Sequence, residues 1–163
     1  MATVDVSNGI NAGTHPSRAI RKEPYKVEVD LNLATATTTK GSALASADVL
    51  QVIDVPAQTM IWAAGLEVVT PNDGDFQVDI GTGANPDAFA DNFDCDGTST
   101  GDMTAIPAAY SPIVVSADDT IDVVIGPTVG SADPTTGVWR VYAVMQDVSN
   151  DLGPDEVDRD QLA

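Results

Sequence analysis

One cysteine, one histidine and seven basic residues in a chain of 163 remove most routes to chemistry before any motif is sought. A lone Cys95 cannot form a disulfide within the chain, and nothing ties the fold to an oxidising compartment. A lone His15 has no second imidazole with which to build a zinc site. A Ser–His–Asp arrangement needs its histidine on a rigid scaffold, and His15 sits beside Pro16 in an aperiodic stretch. No apolar run is long enough to span a bilayer as a helix. The N-terminus lacks a basic start followed by an apolar run, so no signal peptide is expected.

The shortage of bases is the largest imbalance. Seven Lys and Arg stand against 25 Asp and Glu, a formal net charge of −18. Such a surface repels both a phosphate backbone and an anionic lipid face, which argues against a nucleic-acid or a membrane partner. The imbalance is also uneven. Residues 1–40 hold five bases and four acids, whereas residues 41–163 hold two bases, Arg140 and Arg159, and 21 acids. Electrostatically the first segment is a different object from the rest.

What the chain does have is apolar material and β-type patterning. Hydrophobic residues make up 43%, enough to fill the core of one ordinary domain. Residues 1–24 carry Asn8-Gly9, Ala12-Gly13 and two prolines without a sustained period, which reads as an extended N-terminal arm. YKVEVDLNL at Tyr25–Leu33 alternates strictly, as a half-buried strand does. Residues 34–47 are rich in Ala, Thr and Ser and read as a loop or a weak strand.

Asp48–Val55 is a β-branched strand ended by Pro56-Ala57. Met60–Thr70 favours a strand through Val68, Val69 and Thr70, with Gly65 marking a bulge or bend. Pro71-Asn72-Asp73-Gly74 is a turn, and Asp75–Ile80 alternates again, so the two runs look like a hairpin. Gly81–Asp102 is polar and non-periodic, and Met103–Tyr110 is ambiguous. Pro112–Val115 and Thr120–Ile125 are short strands. Gly137–Asp147 alternates with apolar bulk in both sets, as a strand buried on both faces or packed at an interface would. Residues 148–163 form an acidic tail. Seven or eight strands and no clear helix predict an all-β fold: an antiparallel β-sandwich, jelly-roll-like, over residues 25–147.

The residue types that could carry chemistry are few. Cys95 lies between Asp94 and Asp96, whose charges oppose thiolate formation. The stretch Asn92-Phe93-Asp94-Cys95-Asp96-Gly97 resembles the start of a calcium loop, with oxygen ligands on alternate residues and then glycine. Met103 stands where the closing bidentate glutamate belongs, and a solvated acidic loop is the expected state. Gly81-Thr82-Gly83 lacks the lysine and strand–helix context of a phosphate loop. Trp62 and Trp139 could stack on a sugar, but both lie in apolar strand runs and are expected in the core. No catalytic, cofactor-binding or metal-binding residue is therefore assigned, and the chain is expected not to be an enzyme.

DVLQVIDVPAQTMIWAAGLEVV at Asp48–Val69, ADDTIDVV at Ala117–Val124 and VWRVYAVMQDV at Val138–Val148 resemble the strands of small virion proteins of tailed bacteriophages. The resemblance covers about residues 25–148 and contains no motif that assigns a role to a single residue. It implies a capsid decoration (cement) protein on the exterior of the virion. Such a protein would bind the major capsid protein with extended termini, self-associate as a homo-oligomer, with a trimer favoured, and stabilise the head. The alternative is a carbohydrate- or host-surface-binding sandwich module of a head fibre or tail. A small esterase or glycosidase is a third class.

Overall fold

Alternation decides which way each strand faces, and the burial pattern follows it closely. The computed structural model describes residues 3–5, 23–95, 98–105, 111–128 and 134–149. The order of elements is β1 (Thr3–Asp5), β2 (Tyr25–Asn32), α1 (Leu33–Lys40), β3 (Val49–Val55), β4 (Thr59–Thr70), β5 (Phe76–Gly81), β6 (Ala90–Asp94), β7 (Ile113–Val115), β8 (Asp119–Thr128) and β9 (Val138–Asp147). Two sheets result, β1-β3-β8-β5-β6 and β2-β9-β4-β7. The fold is an all-β sandwich, as the sequence indicates.

The pairing is nested. β2 pairs with β9, β3 with β8, β4 with β7 and β5 with β6, all antiparallel. Two further antiparallel ladders, β9 with β4 and β8 with β5, join these pairs into the two sheets. β1 departs from the rule: Thr3–Asp5 runs parallel to Val49–Gln51 along the open edge of β3. This strand lies within the stretch read as an aperiodic arm. The rest of that stretch up to Lys22, and the tail beyond Ser149, lie outside the described residues.

The inner faces close over one core. Leu50, Ile53, Ile121, Val123, Val78 and Ile80 from the first sheet meet Leu31, Ile61, Leu66, Val68, Val141 and Met145 from the second. Each such side chain contributes on the order of 1.5–3 kcal/mol when fully buried. Phe76 and Trp139 join the two layers, their ring centroids 5.7 Å apart and their planes tilted by 39°. In β9, Trp139, Val141, Ala143 and Met145 are buried while Val138, Tyr142 and Val144 stay half-exposed. The strand is thus buried on one face and not on both.

Three expectations are corrected. Residues 33–40 are an α-helix rather than a loop or strand. Composition hides it, but the caps do not: Asn32 Oδ1 accepts the Thr35 N–H at 3.1 Å, and Gly41, at φ +79°, donates its N–H to the carbonyls of Thr37 and Thr38. Leu33 and Ala36 bury the inner side of the helix. Lys40 at its end pairs with Asp48, and the Asp48 carboxylate also accepts the Ala45 N–H at 2.8 Å.

The turn Pro71–Gly74 is real, but β4 and β5 are not a hairpin. They belong to opposite sheets, so the turn is an arch over the core. Asp73 pins the arch by accepting the N–H groups of Thr135 and Thr136 at 2.8 and 2.9 Å and the Thr135 hydroxyl at 2.6 Å. Gly65, finally, is not a bulge. The register shifts of β4 against β9 fall between Ile61 and Ala63 and between Val68 and Thr70. Gly65 is required because Tyr142 and Thr104 cover it: a Cβ there would stand 2.5 Å from Thr104 Oγ1 and 2.7 Å from the Tyr142 hydroxyl.

Candidate functional site

The residues singled out for chemistry do not converge. His15 and Asp96 lie outside the described residues. Cys95 is buried at the end of β6, its thiol pushed up to about 12, first by burial and then by the Asp94 charge. It is no nucleophile at neutral pH. Asn92 and Asp94 are not on a ligand-gathering loop but in strand β6, which the polar composition of residues 81–102 concealed. The Asn92 N–H donates to Asp79 Oδ1 at 2.7 Å, and Asp94 is exposed opposite Gln77. Met103 bridges to Glu67 and is 53% exposed. Among the described residues, no group of three or more His, Cys, Asp or Glu is placed to hold a metal ion.

The glycine pair opens the loop from Thr82 to Phe89, which folds back on the outer face of the first sheet. Thr82 and Asn85 exchange backbone hydrogen bonds at 2.9 and 3.1 Å. The Gly83 N–H donates to Asp119 Oδ1 at 3.2 Å, so the chain's own carboxylate stands where a phosphate would have to approach.

The two tryptophans part company. Trp139 is in the core, as expected. Trp62 is not: it is 43% exposed, because the register shift beside it turns its side chain outward. Its indole N–H donates to Gln146 Oε1 at 3.0 Å, which holds the ring against the sheet. Around it on the outer face of β2-β9-β4-β7 stand Met60, Ala63, Val144 and Val114, the last 49% exposed and paired with Met60. The same face carries ion pairs: Lys26–Glu28, with Lys26 across from Val144 on β9, and, toward the other end, Arg140–Asp30 at 3.0 Å and Arg140–Glu67 at 3.6 Å. Lys26 also sits 5.4 Å from the centre of the Tyr142 ring.

The outer face of the opposite sheet is different in kind. Its strands carry Asp5, Asp54, Asp79, Asp91, Asp94, Asp119 and Asp122 and no base at all. Asp122 is 3% exposed, between Gln51 on β3 and Gly81 on β5. Burial pushes its carboxyl up to about 6; the hydrogen bond from the Thr120 hydroxyl, at 2.5 Å, opposes this and the charge of Asp119 adds to it. Of the three bases among the described residues, Lys40 is turned to Asp48, while Lys26 and Arg140 both stand on the Trp62 face. Among the described residues, one sheet face therefore carries acidic charges alone and the other is part apolar and part charge-paired.

The fold is shared with a chain of a phage capsid. In the structure described as the capsid of Ralstonia phage GP4, the matching chain is covered over 100% of its length and covers 92% of this one, with a TM-score of 0.56 at 16% identity. Weaker similarities extend to the capsid asymmetric unit of cyanophage Pam1, with a TM-score of 0.47, 14% identity, and 76% of this chain and 83% of that one covered. The acidic stable capsid of Helicobacter pylori bacteriophage KHP30 gives a TM-score of 0.48 at 12% identity, covering 75% and 85%. No family model and no curated protein matches the sequence.

Proposed function

We propose that the chain is a non-enzymatic structural component of a tailed-phage virion, and within it a decoration protein on the capsid exterior. The observation that carries this reading is the end-to-end correspondence of the sandwich with a chain of the Ralstonia phage GP4 capsid. The nested strand order is read as a jelly roll. In this role the protein binds the major capsid protein, associates with itself as a trimer, and adds buried area across capsomer boundaries. Binding to the assembled shell and not to its dissociated parts stabilises the shell by mass action. The acidic sheet faces solvent, and the residues of the arm and tail extend the contacts.

A second reading rests on Trp62. An exposed indole is what a carbohydrate- or host-surface-binding module of a head fibre or tail presents. Sugar recognition also needs several directional polar groups beside the ring. Met60, Ala63, Val114 and Val144 supply none, and Gln146 is already engaged with the indole. The surroundings of Trp62 suit a protein contact better.

Virions that lack this chain test the two readings. Decoration predicts genome loss at lower temperature or on osmotic shock, with adsorption to cells unchanged. Normal survival of heat and osmotic shock with failed adsorption would replace decoration by surface binding.

A further inference from the structure

We propose that residues 82–88 form a proton-controlled latch on the outer face of the first sheet, closed over Asp122 while that carboxyl holds its proton and loosened once the proton leaves. The device belongs to the chain itself and is independent of what the chain binds. Three observations carry it. First, Asp122 is buried where its sheet alone would leave it open. Ile80 and Val123 pair across β5 and β8 and both are fully buried in the core, so the next pair, Gly81 and Asp122, points outward. Thr120 and Val124, the outward neighbours of Asp122 on its own strand, are only half-buried, yet Asp122 is 3% exposed.

Second, the segment itself covers that pair. The place a Cβ on Gly81 would take is filled by the Asn85 carbonyl oxygen and the Pro86 backbone. Third, an ionised Asp122 finds no cation there. Among the described residues, its side chain takes a hydrogen bond from the Thr120 hydroxyl alone, at 2.5 Å. The titratable groups on the elements around it are Asp119 on β8, Asp54 on β3, Asp79 on β5 and Asp87 on the segment, all of them carboxylates.

A covered carboxylate without a cation is less stable than the neutral acid. Burial accordingly pushes Asp122 up to about 6, with the Thr120 hydroxyl opposing and the Asp119 charge adding. Opening the segment admits water and returns the group to the ordinary carboxylate range. The closed state thus keeps a proton that the open state releases, and its advantage is complete below about pH 4 and lost as pH rises through about 6. The segment is lightly held. Residues 83–87 are exposed, and its ties are the Thr82–Asn85 pair of backbone bonds, Ala88 N–H to the Asn85 carbonyl at 3.3 Å and Gly83 N–H to Asp119. Such a segment opens at lower free energy than the strands of the core.

Amide hydrogen exchange of the full chain, followed by NMR from pH 4 to pH 8 and corrected for the intrinsic pH dependence, tests the latch. The amides of Asn85 and Ala88 report on the segment, those of Val141 and Ala143 on the core. The segment should exchange faster than β9 at every pH, and its opening constant should rise about thirtyfold between pH 4 and pH 7 and then level off. Asp122→Asn, shown to fold by circular dichroism, should abolish the rise. Thr120→Val withdraws the donor that favours the ionised form and should carry the rise to higher pH. Asn85 and Ala88 protected as well as the β9 amides throughout would mean that no local opening exists, and the inference fails. It fails equally if the rise survives in folded Asp122→Asn. Should that variant not fold, a Thr120→Val profile that coincides with the wild type overturns the inference by itself.

Discussion

Replacing Asp122 by asparagine should make the protein more stable at neutral pH, although it alters a buried, hydrogen-bonded side chain. Asp122 lies in the middle of the first sheet, with Thr120 donating to it and Gln51 Nε2 in turn donating to Thr120 at 3.2 Å. Burial holds its carboxyl at about 6, above the ordinary 3.8 of an aspartate, with Thr120 opposing the rise and Asp119 adding to it. A folded-state value above the unfolded one means that the native chain holds a proton which the unfolded chain has released. Stability from this group is fully present below about pH 4 and is lost as pH rises through about 6.

At pH 7.5 the ionised carboxylate therefore costs about 2 kcal/mol, taking ~1.4 kcal/mol for each tenfold change in acidity and allowing for solvent screening. Asparagine keeps the acceptor for the Thr120 hydroxyl and removes the charge. The expected gain of about 2 kcal/mol should raise Tm by roughly 4–8 °C for a domain of this size. Differential scanning calorimetry of wild type and Asp122→Asn across pH 4 to 8 checks both magnitude and window. The difference should be largest above pH 7 and vanish near pH 4, where wild-type Asp122 is already neutral. A gain independent of pH, or a loss at pH 7.5, would refute the desolvation argument.

Two other positions test individual contacts. Gly81→Ala should cost several kcal/mol in urea unfolding, because its Cβ would lie 2.1 Å from the Asn85 carbonyl oxygen, a backbone atom that cannot turn aside. The loss should be accompanied by faster proteolysis within residues 82–89. Lys40→Ala removes the cation from a buried Asp48 carboxylate and should cost about 3–5 kcal/mol, whereas Lys40→Ala combined with Asp48→Ala should recover much of that loss in the same unfolding assay.

The strands were legible where alternation was unbroken. Tyr25–Asn32 has the faces that the sequence implies, because a period of two leaves no freedom once one face is buried, and Val138–Asp147 forms the expected strand although only one of its two apolar faces is buried. Two things were not legible. The first is α1, whose Leu, Ala, Thr and Lys residues carry no apolar stripe. The signal was confined to its ends, Asn32 three residues before Thr35 and Gly41 after Lys40, a cap pair rather than a period. The second is which strands pair. Pro71–Gly74 has the composition of a hairpin turn, and local composition does not distinguish a hairpin from an arch between sheets. That choice shows in the ladders of β5, which run to β8 and β6, while Phe76 faces Trp139 of the opposite sheet across the core.

The surface was hidden for a related reason. Alternation gives two faces but does not say which apolar residues stay outside, and a single register shift reverses the answer locally. Trp62 stands between two apolar neighbours and has the sequence context of a core residue, yet the shift between Ile61 and Ala63 sends it to solvent while Trp139, buried among its neighbours in β9, goes to the core. The charges obey the same logic at larger scale. Read along the chain, the net −18 is an excess of acid that begins after residue 40, but folding sorts the charges of the strands by sheet. Lys26 and Arg140, 114 positions apart in sequence, come together on the Trp62 face, and the strands of the other sheet hold none of the bases. Among the described strands, the repulsion that would act against every contact of an evenly charged body is thereby weaker on the Trp62 face than on the acidic sheet. An apolar side chain on that face meets less of it when another protein approaches.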